Sequence, residues 1–262
     1  MALKVMRNSI SSIESSIKLL YERFFQKLKI NKKNGEFMRN SRWSFLKFPT
    51  YPFIGREYAQ NEDCRVLFIG LEIGSDELPN GGIIDFEKKR ERSENNDGYN
   101  THFYGMAVAT IFFLGKPFKR NQWRQVCKGK TYKEVFNLAK EKEINFKPLD
   151  HVAMTNCYKF VTKRRKSKLG SKDAKHISSN EEWDLLKNEI RIFKPRFLVF
   201  QGAYFKKDYW LRQLESEIEK ENRDMKVYFS HHPSARGLHS NAGEYLNTIK
   251  PSPAVRRHQV NP

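Results

Sequence analysis

Apolar residues along this chain fall into two patterns, one with helical spacing and one continuous. Ile10, Ile13, Ile17, Leu20, Phe24 and Leu28 recur every three or four positions, which predicts a helix over 9–30 capped by Ser9, Ser11 or Ser12. Residues 31–60 read as irregular, with Pro49, Pro52 and Gly55 as breakers among several aromatics. Short, nearly continuous apolar runs at 65–70, 152–156, 197–200 and 226–230 predict four buried strands. Helices are predicted over 103–114, 131–142, 181–193 and 205–222, with Asn180 capping the third and Pro195 ending it. Residues 78–100 read as an inserted loop: Pro79-Asn80-Gly81-Gly82 is turn chemistry, and Lys88 to Gly98 is almost free of apolar residues. This alternation predicts a single α/β domain over 1–262. Its expected form is a three-layer α/β/α sandwich around a mainly parallel four-stranded sheet, with a helical N-terminal extension over 1–45.

Charge changes the picture next. Lys and Arg number 49 against 30 Asp and Glu, a formal net charge of +19. An excess this large favours a polyanionic partner, and nucleic acid leads. A membrane surface is the lesser candidate, because no predicted helix joins a strong apolar face to a basic one. No run of 18 apolar residues and no signal peptide is present, so a soluble, cytoplasmic protein is expected, and a monomer. Cys64, Cys127 and Cys157 are widely spaced and form no CxxC pair, which suggests buried thiols in a reducing compartment. His231, His232 and His239 have no carboxylate or cysteine at ligand spacing, so neither a metal nor a cofactor is expected.

Two of the strands end in polar turns. The run Val66-Leu67-Phe68-Ile69 breaks into Gly70-Leu71-Glu72-Ile73-Gly74, which carries one carboxylate. The run Val227-Tyr228-Phe229-Ser230 breaks into His231-His232-Pro233-Ser234. In an open parallel sheet, ligands bind beyond the C-terminal ends of the strands. A carboxylate and an imidazole delivered to that edge suggest a hydrolytic site.

Four segments in order resemble the uracil-DNA glycosylase superfamily, over roughly residues 50–245. Gly70-Leu71-Glu72-Ile73-Gly74 is similar to its first motif, with Glu72 on the position of a water-activating acid and Ile73 where a proline is usual. Asp76 and Glu77 stand close by as other carboxylates. Phe103-Tyr104-Gly105-Met106-Ala107 resembles the stretch whose phenylalanine stacks on the flipped base. Thr155-Asn156-Cys157-Tyr158-Lys159 resembles the motif whose asparagine reads the pyrimidine edge, and His232-Pro233-Ser234 matches the last motif. The cysteines of the iron–sulfur branch are absent, so no cluster is implied.

The resemblance implies a monofunctional DNA glycosylase, and the chemistry is consistent with these residue types. Base–sugar cleavage passes through an oxocarbenium-like sugar. Glu72 would position water and offset that positive charge, and His232 would hydrogen-bond the departing base as it gains negative charge. Asn156 can pair with a pyrimidine edge, and Phe103 offers a stacking face. Gly74 stands where the uracil-specific branch has a tyrosine that crowds the pyrimidine C5. Glycine leaves that space open, so uracil and C5-modified pyrimidines, including modified bases of viral DNA, become candidate substrates. That would place the enzyme in base excision or in antiviral defence.

DNA contacts are expected from a basic stretch at 159–175, where Lys159, Lys163, Arg164, Arg165, Lys166, Lys168, Lys172 and Lys175 stand against Asp173. Ser234 is expected at the DNA as well. In relatives the following loop fills the gap left by the flipped base, which gives Arg236 or Leu238 as the wedge. The alternatives are a catalytically inactive DNA-binding module on the same fold and, more weakly, a metal-dependent nuclease.

Overall fold

A computed structural model describes residues 2–41, 43–60, 62–70, 82–95, 101–115, 119–142, 147–162, 179–202, 217, 224–235 and 241–252. The strands are β1 (Leu46–Lys47), β2 (Phe53–Ile54), β3 (Val66–Gly70), β4 (Val152–Asn156), β5 (Val161–Thr162), β6 (Phe197–Gln201), β7 (Lys226–Ser230) and β8 (Lys250–Pro251). The described helices are α1 (Ala2–Leu28), α2 (Phe86–Asn95), α3 (Thr101–Leu114), α4 (Arg120–Val126), α5 (Tyr132–Lys142), α6 (Ser179–Phe193) and α7 (Ala242–Thr248). The class is α/β. None of the described helices is long and apolar enough to cross a membrane.

The sheet has six strands in the order β2-β4-β3-β6-β7-β8, rather than four. β4, β3, β6 and β7 run parallel, while β2 and β8 add antiparallel edges. Each edge strand has two residues, too few to show a period of two in the sequence. β1 and β5 form a separate antiparallel pair.

Alternate residues of the parallel strands enter two different cores, as a pleat with both faces covered requires. Leu67, Ile69, Leu198, Phe200, Val227 and Phe229 pack with Ile17, Tyr21 and Phe25 of α1 and with Leu186, Ile190 and Phe193 of α6. Val66, Phe68, Val152, Val199 and Phe197 pack with residues of α3, α4, α5 and α7, among them Met106, Trp123, Val135 and Leu246. The chain moves from β3 to β4 through helices on the second face, then returns past β3 to β6 through α6 on the first. Reversing direction and face together keeps one crossover hand. The reversal makes the boundary between β3 and β6 the switch point of the sheet.

Local differences from the sequence expectation have local causes. α1 starts at Ala2 rather than near Ser9, and it lies within the core. Its end is a Schellman turn: Ile30 N–H donates to Phe25 C=O (2.9 Å), Lys29 N–H to Gln26 C=O (3.3 Å), and Lys29 has φ 56°. Asn180 lies inside α6, which begins at Ser179, so it is not the cap. Residues 86–95 of the expected loop form helix α2. The Asp85 side chain accepts from Lys88 N–H (2.9 Å) at its start, and the buried Phe86 ring meets Tyr51 at 5.5 Å.

Candidate active site

The four parallel strands end at one level, with Gly70 paired beside Asn156 and Gln201 beside Ser230. Asn156 is half-buried, and a Cβ placed on Gly70 would lie 2.5 Å from its Oδ1, so the end of β3 must be glycine for Asn156 to lie across it. Cys157 N–H donates to Gly70 C=O (2.9 Å) and turns the chain away. Glu72 and Gly74 follow in the chain but lie outside the described residues. So do Asp76, Glu77, Lys163, Arg164, Arg165, Lys166, Lys168, Lys172, Lys175, Arg236 and Leu238. Among the DNA-contact expectations, Lys159 and Ser234 are described.

A buried ionic cluster backs Asn156. Glu189 on α6 has no exposed surface and forms an ion pair with Lys159. Thr155 Oγ donates to Glu189 and accepts from Lys159 Nζ at 2.7 Å, and the Tyr21 hydroxyl donates to Glu189. A buried ion pair is tolerated when its remaining hydrogen-bonding capacity is met, which Thr155 and Tyr21 do here. Burial, with Glu189 beside it, holds the Tyr21 hydroxyl well above the ordinary tyrosine range. Lys159 is 4% exposed, so it does not reach phosphates as the basic stretch suggested; it fixes the end of β4 to α6. Its backbone N–H donates to Glu182 (2.7 Å), whose carboxyl burial pushes up to about 7 against that bond. A shallow cleft opens beside this cluster, with Asn156, Tyr51, Pro52, Tyr158 and Lys89 in its wall.

At the other end of the edge, His232 sits just beyond β7. Its Nδ1 accepts the Ser234 backbone N–H at 3.2 Å, so the proton of the neutral ring is on Nε2, which becomes a donor. The turn is held from three sides. His231 N–H donates to Thr248 Oγ (3.1 Å), the Tyr132 hydroxyl donates to Pro233 C=O (3.2 Å), and Gly105 packs directly on the Pro233 ring. A Cβ at Gly105 would collide with Pro233. The structure therefore brings the Phe103-Tyr104-Gly105 and His232-Pro233-Ser234 segments together, and Gly70 and Asn156 together. Phe103 is half-buried in the first turn of α3, with its ring edge-on to Phe53 at 6.1 Å.

Sequence reasoning missed His102, one residue before the Phe103 motif. Its ring lies 4.5 Å from that of His232, tilted 39°. His102 Nε2 is 3.0 Å from Gln201 Oε1, and Gln201 Nε2 donates to the Tyr245 hydroxyl at 3.0 Å. The amide thus presents its oxygen to His102, which places the His102 proton on Nε2 as well. Burial holds His102 down to about 4, with His232 and Lys89 adding to the effect and the Gln201 bond opposing it. Its place in the first turn of α3, at the positive end of the helix dipole, acts in the same sense. Burial also lowers His232. Two imidazoles in contact, both held neutral, give this edge a hydrogen-bond donor that keeps its proton near neutral pH. A histidine at the start of an apolar helix was the only signal available.

No protein-family model matches the chain, and no curated protein matches it in sequence. The edge combines an amide, a neutral imidazole donor and an aromatic face within one α/β sheet. Each of these groups can serve a planar heterocycle, the imidazole donor by stabilising negative charge that develops on it.

Proposed function

We propose that this protein is a monofunctional DNA glycosylase that hydrolyses the N-glycosidic bond of a flipped pyrimidine, uracil or a C5-modified base, and leaves an abasic site. The observation that carries the reading is that Asn156 and the His232 turn lie along the same C-terminal edge, on either side of the topological switch point, with Gly70 closely packed on Asn156 and Gly105 on Pro233. In this mechanism Asn156 reads the pyrimidine edge and Phe103 supplies a stacking face. The His232 Nε2–H donates to the base oxygen as the bond breaks. A neutral donor suits this task, because it stabilises the base as an anion without transferring its proton. Burial keeps that ring neutral, and His102, fixed by Gln201, packs against it. Glu72, two residues past Gly70, orients water and offsets the positive charge at the sugar.

The test is to incubate the protein with oligonucleotides carrying uracil, thymine mismatches and C5-modified pyrimidines, single-stranded and duplex, and to detect the free base by mass spectrometry. Base release by the wild type and its loss by about 10²-fold or more in Glu72→Gln support the reading. Release that survives Glu72→Gln removes Glu72 from the mechanism, and no release from any substrate overturns the activity.

A further inference from the structure

The Cys127–Thr131 turn was not singled out by the sequence, yet it lies beside the candidate site. Its carbonyls face α7: Ala242 N–H donates to Lys130 C=O (2.9 Å), and Gly243 packs against the Cys127 carbonyl, where a Cβ would come within 2.8 Å. Immediately after the turn, Tyr132 donates to Pro233 C=O, the residue next to His232. The turn is thus tied both to the histidine turn and to the start of α7. Its tip faces outward. Gly129 has φ +71°, and a Cβ built there meets nothing within 4 Å. Lys128, Lys130 and, in the first turn of α5, Lys133 are exposed. The acids nearby are Glu134, whose carboxylate accepts from Thr131 N–H (2.7 Å) and hydroxyl (2.8 Å), and Glu244 in the first turn of α7.

We propose that this lysine turn is a phosphate-contacting surface that seats a nucleic-acid backbone against the His232 edge. The proposal rests on the glycosylase reading for the identity of the polyanion. A backbone-tied turn that carries two lysines, with a third in the first turn of the helix that follows, fixes register without reading sequence, which is what phosphate contacts do. A free loop would have to be ordered on binding, whereas this one is already held through the Cys127 and Lys130 carbonyls.

Lys128→Ala together with Lys130→Ala is compared with Lys140→Ala together with Lys142→Ala, which remove the same charge from the last turn of α5, at the opposite edge of the sheet. Affinity for an unmodified duplex is measured across salt, roughly 50 to 200 mM. Each phosphate neutralised contributes about 0.9 to the slope of log K against log salt. The turn pair is expected to lower that slope by about 1.8 and the far pair to leave it unchanged. An unchanged slope in the turn pair overturns the proposal. So does an equal fall in both pairs, or wild-type binding to phosphatidylserine vesicles without binding to duplex. Duplex binding needs no base release, so a protein that binds through this turn and releases no base overturns the glycosylase reading alone.

Discussion

His232 and His102 set the acid behaviour of the site. A neutral His232 must lose its Ser234 N–H contact to gain a second proton, and a charged His102 would stand against it 4.5 Å away. Base release is therefore predicted to persist below the ordinary histidine midpoint of 6.5, and a pH–rate profile checks this. His102 also links pH to stability. Its folded pKa lies below the unfolded value, so the unfolded chain binds more protons between the two. Stability is fully present above pH 6.5 and is lost as pH falls through that window toward 4, by on the order of 2 kcal/mol after allowance for solvent. Denaturant melts at several pH values should show the slope, and His102→Asn should flatten it. His232→Ala is expected to slow base release by about 10²-fold with little effect on duplex affinity, as loss of one oxyanion donor does. Gly105→Ala forces a methyl onto Pro233 and is predicted to cost about 1–3 kcal/mol, read by thermal unfolding.

At the scale of elements, the α1–β4–α6 junction depends on one charged cluster. Glu189→Gln leaves Lys159 buried without its counter-charge and is predicted to destabilise by about 3–5 kcal/mol in urea unfolding. Lys159→Met with Glu189→Leu should recover most of that loss, because an apolar pair of similar volume removes both charges together. Lys194, at φ 46° after α6, makes the opposite kind of target. Its N–H already closes the helix on Ile190 C=O (2.9 Å), so Lys194→Gly keeps the bond, removes the left-handed strain and is predicted to stabilise by about 0.5 kcal/mol. The parallel strands were legible because their buried faces make continuous apolar runs such as Phe197-Leu198-Val199-Phe200. Helix α2 was not, because Phe86 is its sole buried anchor among the described side chains and its other positions are charged or polar. Lys159 looked like one more cation in a basic stretch. Its fate depends on Glu189, thirty residues away, which no local pattern reports.

Across the whole molecule, the candidate site assembles from segments that are far apart in sequence. Asn156 and His232 were singled out from short motifs, since Asn156 ends one buried strand and His232 lies just beyond another. His102 and the Lys128–Lys130 turn were not, because their importance comes from tertiary contacts with Gln201, Pro233 and Ala242. The net charge of +19 sets a long-range field, so association with DNA is expected to be fast at low salt and to slow steeply as salt rises. The order of synthesis adds a consequence. Tyr21 and its acceptor Glu189 are 168 residues apart. At about 5–20 residues per second, the ribosome completes α6 roughly 10–30 seconds after α1 emerges. During that interval Phe48 and Tyr51 can already pack on Tyr21 and Phe25, but the side of α1 that meets α6 stays uncovered, so nascent chains stalled before residue 189 should be captured by a holdase chaperone, and chains stalled after α6 has emerged should be released.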